Sequence, residues 1–220
     1  MSFIPHSITS IKGPYHYAAC WHFLEEKGQI AFGPQFELHP QDGDIILKLM
    51  VWALKDESQA AKHELNLRKG IMLTGPVGCG KTSLLKLLRL LLPPVQRYAV
   101  KPCREIAFEF GEEGFPVLTR YTKQYVSTLY SAAGAPVAKP ICFDDLGREP
   151  AVQYFGNTMN VMAELLLSRY DYYASHDMLT HITTNLNSVE IEERYGKMVR
   201  SRCRELFNLV SFDKSTPDKR

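Results

Sequence analysis

The sequence predicts an α/β chain, a five-stranded, mainly parallel sheet flanked by helices, and three observations carry that prediction. Residues Gly75, Pro76, Val77, Gly78, Cys79, Gly80, Lys81 and Thr82 spell G-x-x-x-x-G-K-T between an apolar, strand-like run and a leucine-rich, helical one. A short apolar run from Ile141 ends in the paired carboxylates Asp144 and Asp145, and a further strand-like run, Leu179 to Thr184, ends in Asn185. A continuous apolar run reads as a strand buried on both faces of a parallel sheet. Strands alternating with helical stretches imply right-handed crossovers between parallel neighbours.

Taken in order, Tyr15 to Lys27 reads as a helix and Gln29 to Gly43, rich in glycine and proline, as irregular. Asp44 to Leu65 is helical again, with Ile45, Leu49, Trp52 and Leu65 as its apolar positions. Residues 1–43 are expected to form a short, mostly helical extension of unassigned role, and 44–220 the main domain. The expected strands are Gly70 to Thr74, Gln96 to Val100, Ile141 to Asp144, Leu179 to Thr184 and about Leu206 to Phe212. The helix Lys81 to Leu92 follows the first strand and stops at Pro93-Pro94, and another helix runs from Asn157 to Tyr173. Lys101 to Thr119 is longer than the connection from the second strand to its helix requires, and it reads as an extra loop. Ligands of open parallel sheets gather at the carboxyl ends of the strands, where the glycine-rich loop, Asp144 and Asn185 all fall.

The chemistry of these residues points to a nucleotide. Glycines let the backbone curl so that successive N–H groups face phosphate oxygens, and the following helix adds the positive end of its dipole. Gly75 to Thr82, with Ser83 beside them, are the expected nucleotide-binding residues. Lys81 is placed to reach the β- and γ-phosphates, and Thr82 to ligate Mg²⁺. Asp144, at a strand tip, is the expected second Mg²⁺ ligand and Asp145 the group that orients the attacking water. An Asp-Asp pair alone would read as a surface turn; it reads otherwise 63 residues after Lys81 (144 minus 81). The Asn185 amide donates to a phosphate or water and accepts from water, without adding charge to an anionic site.

Composition narrows the class. The chain has 220 residues, 45% hydrophobic and 23% charged, enough for a full core. A net charge of +2 gives no global basic field, and the most basic stretch is Arg194 to Arg204. Five scattered cysteines without a C-x-x-C pair argue against a disulfide framework, and His16, Cys20 and His22 lack a fourth ligand for zinc. Met1 to Gly13 lacks the basic start and apolar core of a signal peptide. Leu84 to Leu92, the most apolar stretch, is interrupted by Lys86 and Arg89, so no membrane span and a cytoplasmic location are expected. Tyr15, Tyr17, Trp21, Phe23, Phe32 and Phe36 crowd the extension. They either stack on single-stranded bases or pack the helix against the main domain.

Two further pieces complete a pattern. Leu165-Leu166-Leu167-Ser168-Arg169-Tyr170 lies in the later helix, and Thr183-Thr184-Asn185-Leu186 is followed by Glu193-Arg194-Tyr195-Gly196-Lys197-Met198-Val199-Arg200-Ser201-Arg202. From about Asp44 to Phe212 this resembles the AAA+ P-loop ATPases of the DnaC-type helicase-loader and IstB-type transposition-helper group. The resemblance implies Walker A at Gly75 to Thr82, Walker B at Asp144 and Asp145, and sensor 1 at Asn185. It implies that Arg202, with Arg200 and Arg204 as alternatives, is a finger reaching the γ-phosphate of a neighbouring subunit. It further implies ATP and Mg²⁺ as cofactors, hydrolysis of ATP, ATP-dependent homo-oligomers, single-stranded DNA, and a replicative helicase or a transposase as partner. Only Asp213 to Arg220 follow the last strand, so no C-terminal lid domain is expected. Residues 1–43 match neither a helicase-binding nor a transposase-binding module. A P-loop kinase is the reading from another class; it calls for an acceptor pocket and a lid.

Overall fold

Successive residues of the central strands enter two different cores. The computed structural model describes residues 4–11, 13–130, 136–154 and 156–219, so Met1 to Phe3 and Lys12 of the expected extension lie outside the described residues. Helices α1 (His6–Thr9), α2 (Tyr17–Phe32), α3 (Gly43–Leu54) and α4 (Glu57–Lys62) lead into β1 (Gly70–Thr74) and α5 (Lys81–Leu88). Then come β2 (Ala99–Pro102), α6 (Cys103–Glu113), α7 (Pro116–Tyr121) and the antiparallel pair β3 (Val126–Tyr130) and β4 (Pro136–Ala138). The chain continues through β5 (Ile141–Leu146), a second antiparallel pair, β6 (Val152–Tyr154) and β7 (Asn157–Met159), and α8 (Val161–His176). It closes with β8 (Thr180–Thr184), α9 (Ser188–Leu206) and β9 (Phe207–Ser211). The five-stranded sheet runs β2-β5-β8-β1-β9, with every pairing parallel.

Period-two alternation splits each strand between the layers. Ile71 and Leu73 of β1, Cys142 of β5 and Val210 of β9 pack with Trp21, Trp52 and Leu85 on one face. Met72, Ile141, Phe143 and Phe207 pack with Phe110, Leu165 and Val199 on the other. The first face is covered by α1 to α3 and α5, the second by α6 to α9. The extension belongs to the first core. None of the aromatics from Tyr15 to Phe36 is exposed, and Tyr17 and Trp21 are fully buried. They pack the helix against the domain, and Tyr17 Oη donates to Asp56 Oδ2 at 2.7 Å.

Several elements depart from the sequence reading for identifiable reasons. The helix expected over Asp44 to Leu65 breaks at Lys55, which adopts left-handed φ 56°. Asp56 then caps α4, its Oδ1 accepting from the Gln59 N–H at 3.0 Å. The first helix continues to Phe32, four residues into the stretch read as irregular. Lys101 to Thr119 is not an extra loop but the end of β2, α6 and most of α7, with Ile106, Ala107 and Phe110 at helical spacing in the core. The helix after β1 tightens to a 3-10 turn at Arg89–Leu91.

Two buried polar side chains stitch the layers. Arg169, fully buried, donates to Thr180 Oγ1 at 2.7 Å and to the carbonyls of Tyr121 and Leu179 at 2.7 and 2.9 Å. His181 lies within the sheet between the rings of Trp52 and Tyr98. Its Nδ1 accepts the Ile71 N–H at 3.1 Å, and burial pushes its pKa down to about 3. No helix among the described residues is long and apolar enough to cross a membrane.

Candidate nucleotide-binding site

The glycine-rich loop is a backbone conformation before it is a set of side chains. Gly80 caps α5 with φ 96°, and the Leu84 N–H closes the first helical turn on its carbonyl at 2.9 Å. Gly78, at φ 79°, lies so near Asp218 that a Cβ would come within 2.1 Å of its carboxylate. Both positions demand glycine. Lys81 is 5% exposed, and its Nζ donates to the carbonyls of Gly75 at 2.9 Å and Pro76 at 2.6 Å. Cys79 is buried in the loop, where desolvation holds its thiol above the usual range against the pull of Lys81.

A β-bulge sets the two carboxylates. Along β5 and β8, Phe143 pairs with Ile182 but Leu146 with Thr184, so three steps on one strand span two on the other. Within the bulge Asp145 takes φ 56°, outside the region that most residues occupy. Thr183 ties it together: its Oγ1 accepts the Asp145 N–H at 2.8 Å and donates to Asp144 Oδ1 at 2.6 Å. Thr82 Oγ1 donates to the same Asp144 oxygen at 2.8 Å. The loop's hydroxyl and the strand's carboxylate thus meet, although they are 62 residues apart.

Lys81, Thr82, Ser83, Asp145 and Asn185 line one cleft of about 170 Å³, together with Val77, Gly78 and Gly80. The buried Asn185 Oδ1 has no hydrogen-bond partner among the described residues, an acceptor that a water in the cleft would satisfy. On the far side of the loop, a cavity of about 570 Å³ runs from Ser83 and Leu84 to Phe36, Leu38 and His39. The paired hydroxyl and carboxylate are hard oxygen donors of the kind Mg²⁺ takes. Among the described residues no cluster of three or more His, Cys, Asp or Glu could hold a metal ion.

In three dimensions the chain is similar to the DnaC helicase loader, at a TM-score of 0.53 and 19% identity over 89% of this chain and 99% of that one. It is also similar to DnaI, at a TM-score of 0.52 and 16% identity over 85% of this chain and 89% of the other. The chain shares its fold with the DnaC helicase loader and with DnaI. No protein-family model matches the chain, and no curated protein matches it in sequence.

Within this DnaC-type fold, α9 carries the arginines and kinks at Gly196, which has φ 86° and ψ 164°. Arg202 lies outside the residues that line the cleft of Lys81, Asp145 and Asn185. Its guanidinium stacks 4.1 Å from the Tyr170 ring centroid, and Nη1 donates to Tyr170 Oη and Glu205 Oε1, each at 3.0 Å. Arg200 pairs with Glu192. Three residues escaped the sequence reading. Thr183 was legible only as part of a strand. Arg148, exposed and lining the cleft, follows Asp145 by three positions in a tight turn in which its N–H donates to Asp145 O at 3.1 Å. Glu149 is buried and ties that turn to the kink, accepting from Gly147 N–H at 2.9 Å and from Tyr195 Oη, while its carbonyl accepts from Arg194 at 2.6 Å.

Proposed function

We propose that the chain binds and hydrolyses ATP with Mg²⁺ and works in DNA replication, loading or remodelling a replicative helicase on single-stranded DNA as an ATP-dependent homo-oligomer. One observation carries the nucleotide reading: Thr82 and Thr183 converge on a single oxygen of Asp144, beside a glycine loop, Lys81 and an orphaned Asn185 acceptor. The likeness of fold to the DnaC helicase loader supports the replication reading. In this reading residues 44–220 are the ATPase domain and residues 1–43 an extension docked on its first core.

Gly75 to Ser83 cradle the phosphates through amide donors and the start of α5. Lys81 exchanges the carbonyls of Gly75 and Pro76 for β- and γ-phosphate oxygens, a change of acceptor that needs little movement of its buried stem. Thr82 and Asp144 hold Mg²⁺, which when bound neutralises charge on the phosphate oxygens. Asp145 orients the attacking water and takes up its proton; Asn185 holds the water or the γ-phosphate through its free acceptor and its amide N–H. Arg202 serves the phosphates of the neighbouring subunit.

The test is ATP turnover with fluorescent-analogue binding for wild type and Lys81→Ala, followed by size-exclusion chromatography with and without ATP analogue and single-stranded DNA. Lys81→Ala should abolish binding or turnover, and wild type should shift to a larger species. An affinity within about twofold of wild type with turnover retained would remove the P-loop reading, since lost phosphate contacts cost far more than that. A steady monomer that phosphorylates small molecules would mark a kinase instead.

A further inference from the structure

The segment after β9 returns across the phosphate loop. Lys219 donates its backbone N–H to Gly78 O at 3.0 Å and its Nζ to Cys79 O at 3.3 Å. The same ammonium pairs with Asp42, just before α3, across 177 residues of chain. Both side chains are sheltered, 11% and 7% exposed, and Nζ also lies 5.0 Å from the Phe212 ring centroid. Pro217, Asp218 and Lys219 line the 570 Å³ cavity together with Phe36, Leu38 and His39. The extension and the returning segment are thus clasped together over the loop.

The clasp acts on peptide orientation. Peptide units are planar and trans, so C=O and N–H of one unit point in opposite directions; no described peptide is cis. Lys219 holds the carbonyls of Gly78 and Cys79. The N–H groups of Cys79 and Gly80 are therefore turned away from the strap, and neither unit is free to flip while the strap is docked. A sheltered ion pair loses more than its own attraction when one partner goes, because the other charge is left stranded. Asp42 therefore decides whether Lys219 stays. We propose that Lys219, locked by Asp42, is a positioning residue of the nucleotide site, presetting the loop's amides so that bound nucleotide leaves slowly. This rests on the nucleotide reading above.

The experiment pairs nucleotide release with a readout that needs no nucleotide. Lys219→Met and Asp42→Asn should each raise the dissociation rate of a fluorescent ATP analogue about tenfold, equivalent to roughly 1.4 kcal/mol. The charge-exchanged double variant Asp42→Lys/Lys219→Asp should recover most of that loss. Hydrogen–deuterium exchange on nucleotide-free protein should show Asp213 to Lys219 losing protection in both single variants and regaining it in the double. An undocked segment with an unchanged release rate would overturn the proposal, and so would a segment that stays protected in both single variants. A wild-type chain that binds no analogue would retire the nucleotide reading and the strap's role in it together, while exchange would still report whether Asp42 holds the segment.

Discussion

Asp145 is the residue at which backbone and chemistry meet. A left-handed φ at a residue with a Cβ costs on the order of 1 kcal/mol, and here the Thr183 hydroxyl and the Arg148 N–H hold the turn that imposes it. Strain retained at a cleft residue is a reason to look for function there. Asparagine tolerates the same conformation, so Asp145→Asn keeps the turn and removes only the charge. The variant should bind Mg-ATP nearly as wild type does yet hydrolyse it at least about a hundredfold more slowly, the usual contribution of a positioned base. Asp144→Asn should instead raise the Mg²⁺ concentration needed for binding. Turnover of Asp145→Asn at the wild-type rate would move the water-orienting role elsewhere. That Lys81, Thr82, Asp145 and Asn185 share one cleft was legible from residue types at fixed spacing, because a strand, a glycine turn and a helix bring them to the sheet's carboxyl edge. Thr183 was not, since its role exists only through the bulge between β5 and β8, and strand register leaves no mark in a single sequence.

At the scale of elements, β1 spans the residues expected of it, because a short apolar run between turn signals leaves little choice of bounds. The run over 44–65 misled: its apolar spacing continues through Lys55, where the chain turns left-handed and Asp56 restarts the helix. Lys101 to Thr119 misled in the other direction, its glycines and charges suggesting a loop although Ile106 and Phe110 are core residues four apart. His181 shows what burial within an element implies for stability. Its pKa of about 3 lies below the ordinary imidazole value, so between those pH values the unfolded chain binds the extra proton and the folded chain does not. This contribution is complete above about pH 6.5 and is lost as pH falls toward 3, by up to roughly 1.4 kcal/mol per pH unit. Denaturant midpoints measured from pH 7 to pH 5, above most carboxylate titration, should fall with pH in wild type. In His181→Gln, which keeps an acceptor for the Ile71 N–H, they should fall less steeply. Parallel slopes would assign the acid sensitivity to other groups.

At the scale of the whole molecule, the open question is where the arginines of α9 act. Arg202 lies outside the residues lining the cleft of Lys81 and Asp145 and rests on Tyr170 and Glu205 at the surface. That arrangement supports a role across an interface: a side chain more than a third exposed and held by surface partners can exchange them for a neighbour's phosphate. Arginine suits the task, since its charge is permanent and its donors form a planar fork. Glu149 joins the Asp145 turn to the kink at Gly196 beyond which Arg202 lies, giving one subunit's carboxylate turn a physical link to the helix that would face the next. Arg202→Ala should therefore leave monomer affinity for nucleotide intact and reduce hydrolysis in the assembled form by about 10³-fold or more. The decisive measurement is a mixture. Arg202→Ala retains a working loop, and Lys81→Ala, which cannot hold ATP, still presents Arg202. If the arginine acts in trans, combining two inactive proteins restores turnover at interfaces where an intact loop meets an intact arginine. Co-assembly without recovered turnover, with the mixed species shown directly by mass, would place Arg202 in its own subunit's surface network.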